Sequence, residues 1–333
     1  MSAPLSRRNF LRLSSLSALG LAFKPLPLDD QPEPIFWGRV IFVYLTVYSR
    51  PSVYGRTVAL YDLETVLPIY EEVEGQDADA YNKKWYQTRD GFIHSTNVQP
   101  VAIRPNLPAA ISDLTLGEVT VPSVVARARP GYLSTERYRL YYGSTYWIRQ
   151  SRQDRDGRVW YELWDERYDN SYYVPSSTVR VIPPDEISPI SPGVKDKTIL
   201  IDTTAQTIAA LENGQVVFKT RTSSGGVFGI DKDFRTPLGD YVIDRKRPTR
   251  HMAAGDGAAD DAYDLPGVPW VSYFNGGIAI HGTYWHNDYG RPWSHGCINV
   301  LPQDAKWLYR WVLPVAPAGQ PLVEARGTSV VVV

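Results

Sequence analysis

Residues 277–299 gather three of the five histidines and the single cysteine of this 333-residue chain. A cysteine attacks as its thiolate, and a free thiol has a pKa of about 8.5, so a reactive one needs a base or a positive charge beside it. His281 and His295 are the candidates. His295 is separated from Cys297 by Gly296 alone, and a side chain that close seldom has the angle to deprotonate its neighbour. The backbone amides of such a tight turn can instead converge on one point, as in an oxyanion hole. His281 ends an apolar run from Gly277 to Ile280 that reads as a strand, so folding can carry it onto the thiol. Cys297 is therefore the candidate nucleophile and His281 the general base and later acid. Such a base needs an orienting partner. No Asp or Asn stands out for that task, and a backbone carbonyl such as that of Gly282 would serve. Zinc is a competing reading of His281, His286, His295 and Cys297, but their spacings match no common zinc pattern, and no metal is expected. His286 reads as a surface or substrate-side residue, and His94 and His251 as structural or solvated ones.

His281, twelve intervening residues, and then Ser294-His295-Gly296-Cys297-Ile298-Asn299 together resemble the signature of the L,D-transpeptidase (YkuD) catalytic domain. The resemblance implies a cysteine acyltransferase acting on peptidoglycan stem peptides, with no cofactor. It implies Cys297 as nucleophile, His281 as proton donor and acceptor, and the Gly282 carbonyl as its orienting group. Amides around His295, Gly296 and Cys297 would hold the oxyanion. Tyr284, Trp285, Asn287 and Arg291, between the two motifs, are candidate substrate contacts. Ser294 and Asn299 stand with them, although their motif positions suit shaping the loop. Arg291 would pair a stem carboxylate or make a salt bridge within the loop. The implied donor is a diaminopimelate–D-alanine bond, and carbapenem-type inhibitors are expected to acylate the same thiol.

The elements around this stretch read as β-rich. Thr198 to Asp202 is a buried-type strand, and Asn213-Gly214 marks a tight hairpin between two further strands. Arg221 to Ile230 holds Ser223-Ser224-Gly225-Gly226, read as a flexible loop. Thr236-Pro237-Leu238-Gly239 is a sharp turn into a strand. Residues 245–266 read as a long irregular insertion, a lid over the site. Pro269 to Phe274 should be a strand with Tyr273 and Phe274 on opposite faces, one toward the cleft and one toward the core. Leu301, Ala305, Leu308 and Val312 recur at helical spacing, so Pro302 to Val312 reads as one short helix behind the cysteine loop. Val323 falls in a possible edge strand, and Val330 to Val333 has no assignment. The catalytic domain is placed at 196–325.

Two units precede it, at 36–101 and 117–183. In the first, Trp85 to Ile93 places two β-runs around Asp90-Gly91, a strong hairpin signal. The unit at 117–183 reads as a diverged copy at a period of roughly 80 residues, with Trp160-Tyr161 parallel to Trp85-Tyr86. Together they resemble tandem bacterial SH3-like (SH3b) barrels, for wall binding, substrate positioning or simple spacing. A proline-rich linker, 184–195, reads as semi-extended. The expected fold is thus mainly β: two SH3-like barrels and a YkuD-type catalytic domain.

At the N-terminus, Arg7-Arg8 followed by Phe10-Leu11 and a short apolar stretch reads as a Tat export signal over 1–24, followed by a linker at 25–35. The stretch is too short to anchor the chain, so no stable membrane span is expected after cleavage, and the expected location is the cell wall or another extracytoplasmic site. Composition is ordinary for a globular chain, and a formal net charge of −1 gives no basic field for nucleic acid. An NlpC-type wall peptidase also joins SH3-like units to a cysteine domain, but there the nucleophile usually precedes its histidine. A non-catalytic wall-binding protein would not be expected to keep both His281 and Cys297.

Overall fold

The computed structural model describes residues 32–228, 232–254 and 263–333. The export signal and residues 25–31 of the linker lie outside them. The first unit contains β1 (Phe36–Val40), β2 (Tyr44–Tyr48), β3 (Thr57–Asp62), β4 (Val66–Ile69), β5 (Glu71–Glu74), β6 (Lys84–Gln87), β7 (Phe92–His94) and β8 (Val98–Val101). They form a three-stranded sheet, β4-β1-β8, and a five-stranded sheet, β3-β2-β7-β6-β5. Trp85 pairs with His94 across the hairpin that Asp90-Gly91 turns. The second unit contains β9 (Thr115–Val119), β10 (Ser123–Arg127), β11 (Glu136–Tyr141), β12 (Thr145–Gln153), β13 (Val159–Asp165), β14 (Asn170–Pro175) and β15 (Val179–Val181). These make one seven-stranded sheet with β11 and β15 at its edges. Among the described residues, no strand pairing closes either unit into a barrel.

The third unit holds β16 (Lys197–Asp202), β17 (Thr207–Glu212), β18 (Gln215–Arg221), the short pair β19 (Val227–Phe228) and β20 (Lys232–Asp233), then β21 (Gly239–Val242). It continues with β22 (Arg245–Ala254), β23 (Tyr263–Asn275), β24 (Ile278–Gly282), β25 (Ile298–Val300), α1 (Pro302–Trp311), β26 (Val323–Glu324) and β27 (Ser329–Val332). Two five-stranded sheets result, β18-β17-β16-β27-β21 and β25-β24-β23-β22-β26. Asn213 and Gly214 both adopt positive φ, 50° and 78°, as a two-residue turn between strands requires. Helix α1 starts on Pro302 and buries Ala305, Leu308, Tyr309 and Trp311, one face of a 3.6-residue period.

Four features differ from the sequence reading. Residues 245–254 and 263–266 are strand, not irregular insertion: β22 and β23 form a long antiparallel arm, because pairing with the buried β23 holds extended a charged run that has no clear apolar alternation of its own. The terminal valines form β27, which runs parallel to β16 and antiparallel to β21 in the middle of a sheet. The catalytic unit therefore extends past residue 325, since a four-residue run with Val330 and Val332 fully buried is a core strand. The 184–195 segment is docked, not a free spacer: Glu186 bonds both Arg180 and Lys306, and the Arg310 Nε donates to Ser188 O at 2.8 Å. Lastly, Leu116, Trp147 and Ile182 of the second unit belong to the same hydrophobic core as α1, β16 and β24. That shared core packs the second and third units into one body.

Removing residues 329–333 should split β16 from β21. Burying one valine contributes about 1.5 kcal/mol or more, and two are lost together with a full strand ladder. The truncated chain is expected to melt at least 10 °C lower (an order-of-magnitude figure) or to fail to fold, as read by circular dichroism; an unchanged melting curve would contradict the placement of β27.

Candidate active site

The site is built on strand register. β24 and β25 run parallel, with Ile280 opposite Ile298 and His281 opposite Asn299. β23 and β24 run antiparallel, with Ser272 opposite Ile280 and Tyr273 opposite Ala279. Side chains alternate along each strand, so Ala279, His281, Tyr273 and Asn299 share one face while Ile280 and Ile298 share the other. The Ile face packs into the main core with α1. Cys297, one step before β25, falls level with Ala279, whose backbone N–H donates to the sulfur. Cys297 clusters with Ala279, Tyr273, Val271 and Trp285 on that second face. His281 and Cys297 are thus diagonal neighbours on adjacent strands.

His281 is buried, and its Nδ1 lies 3.1 Å from Gly282 O. A carbonyl only accepts, so Nδ1 carries the proton and Nε2 is left with its lone pair. Burial pushes this histidine down to about 4 against the opposing pull of that carbonyl. The half-buried thiol lies 3.8 Å from Gly277 O as its donor partner. Burial pushes it up to about 11, with the Ala279 N–H opposing. The resting pair is a neutral thiol and a neutral imidazole. Gly282 is required where it stands: a Cβ there would come within 2.9 Å of both Pro269 Cγ and Pro302 Cα at the start of α1.

The cysteine loop is tied down from several sides. Ser294 Oγ donates to Cys297 O at 2.5 Å and accepts the Gly296 N–H at 3.2 Å, closing the Ser-His-Gly-Cys turn. That amide is therefore engaged by Ser294, unlike the oxyanion role expected of it. Thr236 Oγ1 donates to Gly296 O at 2.8 Å, so the Thr-Pro turn also supports the cysteine loop. Ser223 exchanges two backbone hydrogen bonds with Asn299, each 2.9 Å. Residues 222–226 are buried and bonded on both sides, not a flexible loop; their small polar side chains are there because the cysteine loop packs directly on them. His295 is exposed and lies among the rings of Phe228, Phe234 and Tyr263.

The expected substrate contacts divide. Trp285 is half-buried, with its ring 5.7 Å from His281. Tyr284 is buried, and its hydroxyl donates to Pro266 O at 2.7 Å. Asn287 faces the first unit, where Nδ2 donates to Ser95 O and Val98 O at 3.1 and 3.0 Å. Arg291 bonds Asp288 at 2.5 Å within its own loop, and Asp288 also takes the Tyr81 hydroxyl. Ser294 and Asn299 are buried. Tyr284, Asn287, Ser294 and Asn299 are therefore packing and docking residues; polar and aromatic types between two motifs look alike whether they meet substrate or another unit. His286 is likewise buried rather than on the surface. Its Nδ1 accepts the Asp288 N–H at 3.2 Å, and its Nε2 lies 2.9 Å from the Asn299 side-chain amide. Tyr273 turns toward the thiol and Phe274 into the core. His251 lies between Asp165 and Asp264, tying the β22–β23 arm to the second unit. Among the described residues, no group of three His, Cys, Asp or Glu side chains is placed to hold a metal ion, and no helix is long and apolar enough to cross a membrane.

Comparison with known proteins bears on residues 196–332, which match the family model of the L,D-transpeptidase catalytic domain, YkuD. No curated protein matches. Among solved structures, an L,D-transpeptidase from Stackebrandtia nassauensis is 27% identical, over 45% of this chain and 59% of that one, with a TM-score of 0.30. An L,D-transpeptidase from Mycobacterium smegmatis is 20% identical, over 70% of this chain and 99% of that one, with a TM-score of 0.34. An LD transpeptidase in complex with imipenem is 15% identical, over 70% and 98%, with a TM-score of 0.34. This chain thus spans about three fifths of the length of the Stackebrandtia structure.

Two of the three buried histidines, His281 and His286, predict acid sensitivity. His281 is lowered to about 4, and His286 to about 3, the latter by burial and then by the charges of His281 and Arg291. An unfolded histidine titrates at about 6.5. Between pH of roughly 6.5 and 4 the unfolded chain therefore binds more protons than the folded one, and stability falls as pH falls through that window. Each pKa unit corresponds to about 1.4 kcal/mol. The melting temperature should drop by several degrees from pH 6.5 to 4, and His286→Gln should flatten that slope, as read by scanning fluorimetry; equal slopes in both proteins would refute the assignment.

Proposed function

Starting from residues 196–332 as an L,D-transpeptidase catalytic domain, we propose that this protein is an exported L,D-transpeptidase that works on peptidoglycan stem peptides through a thioester on Cys297. The observation that carries the reading is the placement of His281 and Cys297 as diagonal neighbours on one face of β24 and β25. The twin-arginine segment supports export. The repeated Trp-Tyr and hairpin pattern supports a reading of the two preceding units as diverged SH3-like modules. The core that the second unit shares with the catalytic unit, and the first unit's grip on residues 284–288, favour positioning over spacing.

The chemistry follows from the resting protonation states. As the carbonyl of the L-residue in an L–D bond approaches, His281 Nε2 takes the thiol proton and the sulfur adds to the carbonyl carbon. Charge collects on the carbonyl oxygen, beside the backbone amides of the cysteine turn. His281 then gives its proton to the departing amine, the C–N bond breaks and the terminal D-residue leaves. The thioester passes to an amine of another stem, or to water, with His281 taking the incoming proton and returning it to sulfur. Ser294 and Thr236 position the nucleophile, and the Gly282 carbonyl holds the base in its working tautomer. No metal or cofactor is part of this scheme.

Intact-mass analysis after incubation with a carbapenem tests it. The wild-type chain should gain one inhibitor mass, and Cys297→Ala none. With a defined tetrapeptide stem, wild type should release D-alanine and form stem-to-stem crosslinks, while His281→Gln lowers kcat by about 100-fold or more and keeps its melting temperature within a few degrees. Cleavage only at internal stem bonds, or an adduct that survives Cys297→Ala, would defeat the proposal.

A further inference from the structure

The face that carries Cys297 and His281 does not end at β23. Across the next strand pair, Tyr273 stands opposite Arg245 and Val271 opposite Arg247. Strand parity therefore brings Arg245 and Arg247 to the same face as the thiol, while Lys246 between them turns to the other side, where it caps the end of α1 through Val312 O and Pro314 O. Arg245 lies with its Cζ 4.1 Å from the centre of the Tyr273 ring. Its Nη2 donates to Gly276 O at 2.8 Å, in the same turn whose next carbonyl, Gly277 O, faces the thiol.

These two guanidiniums are short of acceptors. The Nε of Arg245 is buried and has no hydrogen-bond partner among the described residues. Arg247 is half-buried and, among the described residues, makes no ion pair. The nearby carboxylate, Glu166, is already taken: it bonds Arg250 and the His251 N–H, each at 3.1 Å. The charges of Arg250 and Arg245, added to burial, push Arg247 below the ordinary arginine value, and Glu166 opposes them. Guanidiniums with donors still open on a partly dry surface are the groups that recognise a carboxylate.

We propose that Arg245 and Arg247 form a carboxylate-binding site beside Tyr273, which holds an anionic group of the ligand while the neighbouring carbonyl meets Cys297. On the transpeptidase reading, the ligand is a stem peptide. The carboxylate has two sources in it: the α-carboxylate of the terminal D-residue, or the free side-chain carboxylate of the residue whose carbonyl is attacked. The site selects a free acid over its amide in either case.

Two measurements on the full chain decide the matter. The first needs no transpeptidase activity. Cys297 is alkylated by iodoacetate, an anion, and by iodoacetamide, its neutral counterpart; in each the thiolate displaces iodide from carbon. The ratio of the two rates cancels the reactivity of the thiol and reads the local positive field. The ratio should fall at least fivefold in Arg245→Gln/Arg247→Gln and stay near wild type in Arg245→Lys/Arg247→Lys. It should also fall in the wild-type protein on going from 50 mM to 1 M salt, where the screening length shrinks to about 3 Å; this last arm needs no variant to fold. A ratio unchanged by both substitution and salt overturns the proposal. The second compares a tetrapeptide with its C-terminal amide and with its side-chain amide. Amidating the carboxylate that docks should raise KM about tenfold in wild type with little change in kcat, and leave the Gln double variant indifferent. Equal KM values for all three peptides would show that the site does not read substrate, and would overturn it in that form. If wild type releases the terminal D-residue, as D-alanine or as D-alaninamide from the C-terminal amide, from none of them, the transpeptidase reading falls, and the alkylation ratio still decides whether the anion site exists.

Discussion

The active face depends on one constraint, the parallel register of β24 and β25. His281 opposite Asn299, with Cys297 two residues earlier, places imidazole and thiol on one face only because side chains alternate with a period of two. A slip of one residue would turn His281 into the core beside α1 and bring Ile280 onto the thiol face. Several contacts hold that register. Gly282 admits the close approach of Pro302 and Pro269, which sets the height of α1 against β24. Ser223 pairs with Asn299 through both backbone groups, and Thr236 holds Gly296 from the other side. Across the sheet the same parity carries Tyr273 and the arginines of β22 to the thiol side, so one register sets nucleophile, base and charge environment together.

The loop between His281 and Ser294 is a docking segment more than a groove. Arg39 reaches Tyr284 O at 2.7 Å while bonding Glu64 and Gln99 within the first unit. Asn287 is pinned by Ser95, Thr96 and Val98. Tyr81 meets Asp288. Each bond removes a buried polar group from the set that would otherwise be costly to leave unpaired. The catalytic loop thus borrows its rigidity from a neighbouring unit. The second unit goes further and shares its core, through Leu116 and Trp147, with α1.

Much of this is legible from residue types alone. The run ending at His281, the Asn213-Gly214 turn, the helix from Pro302 and the grouping of His281 with Cys297 follow from periodicity and turn chemistry. What cannot be read that way is non-local. Tyr284, Asn287 and Asn299 have the chemistry of ligand contacts, and only the packing of other units on them shows otherwise. Ser223 to Gly226 has the composition of a mobile loop, yet it is buried because the cysteine loop lies on it. Val330 and Val332 form too short a run to signal a central strand. Arg245 and Arg247 have the composition of an irregular charged insertion, and only the pairing of β22 with β23 reveals which way alternate residues point.

A resting neutral pair at the site has a physical rationale. The thiolate is the form that attacks a carbonyl, and it is also the form that oxidants consume. Burial that pushes Cys297 up to about 11 and His281 down to about 4 keeps the thiol protonated at neutral pH. Under the proposed export, this spares a lone cysteine from reaction in an oxidising compartment where it has no second cysteine in the chain to pair with. The cost falls on the first chemical step, because the proton must then move as the carbonyl arrives. The same strands that set the geometry therefore also hold the thiol protonated at rest, with His281 on the same face to take its proton as the carbonyl arrives.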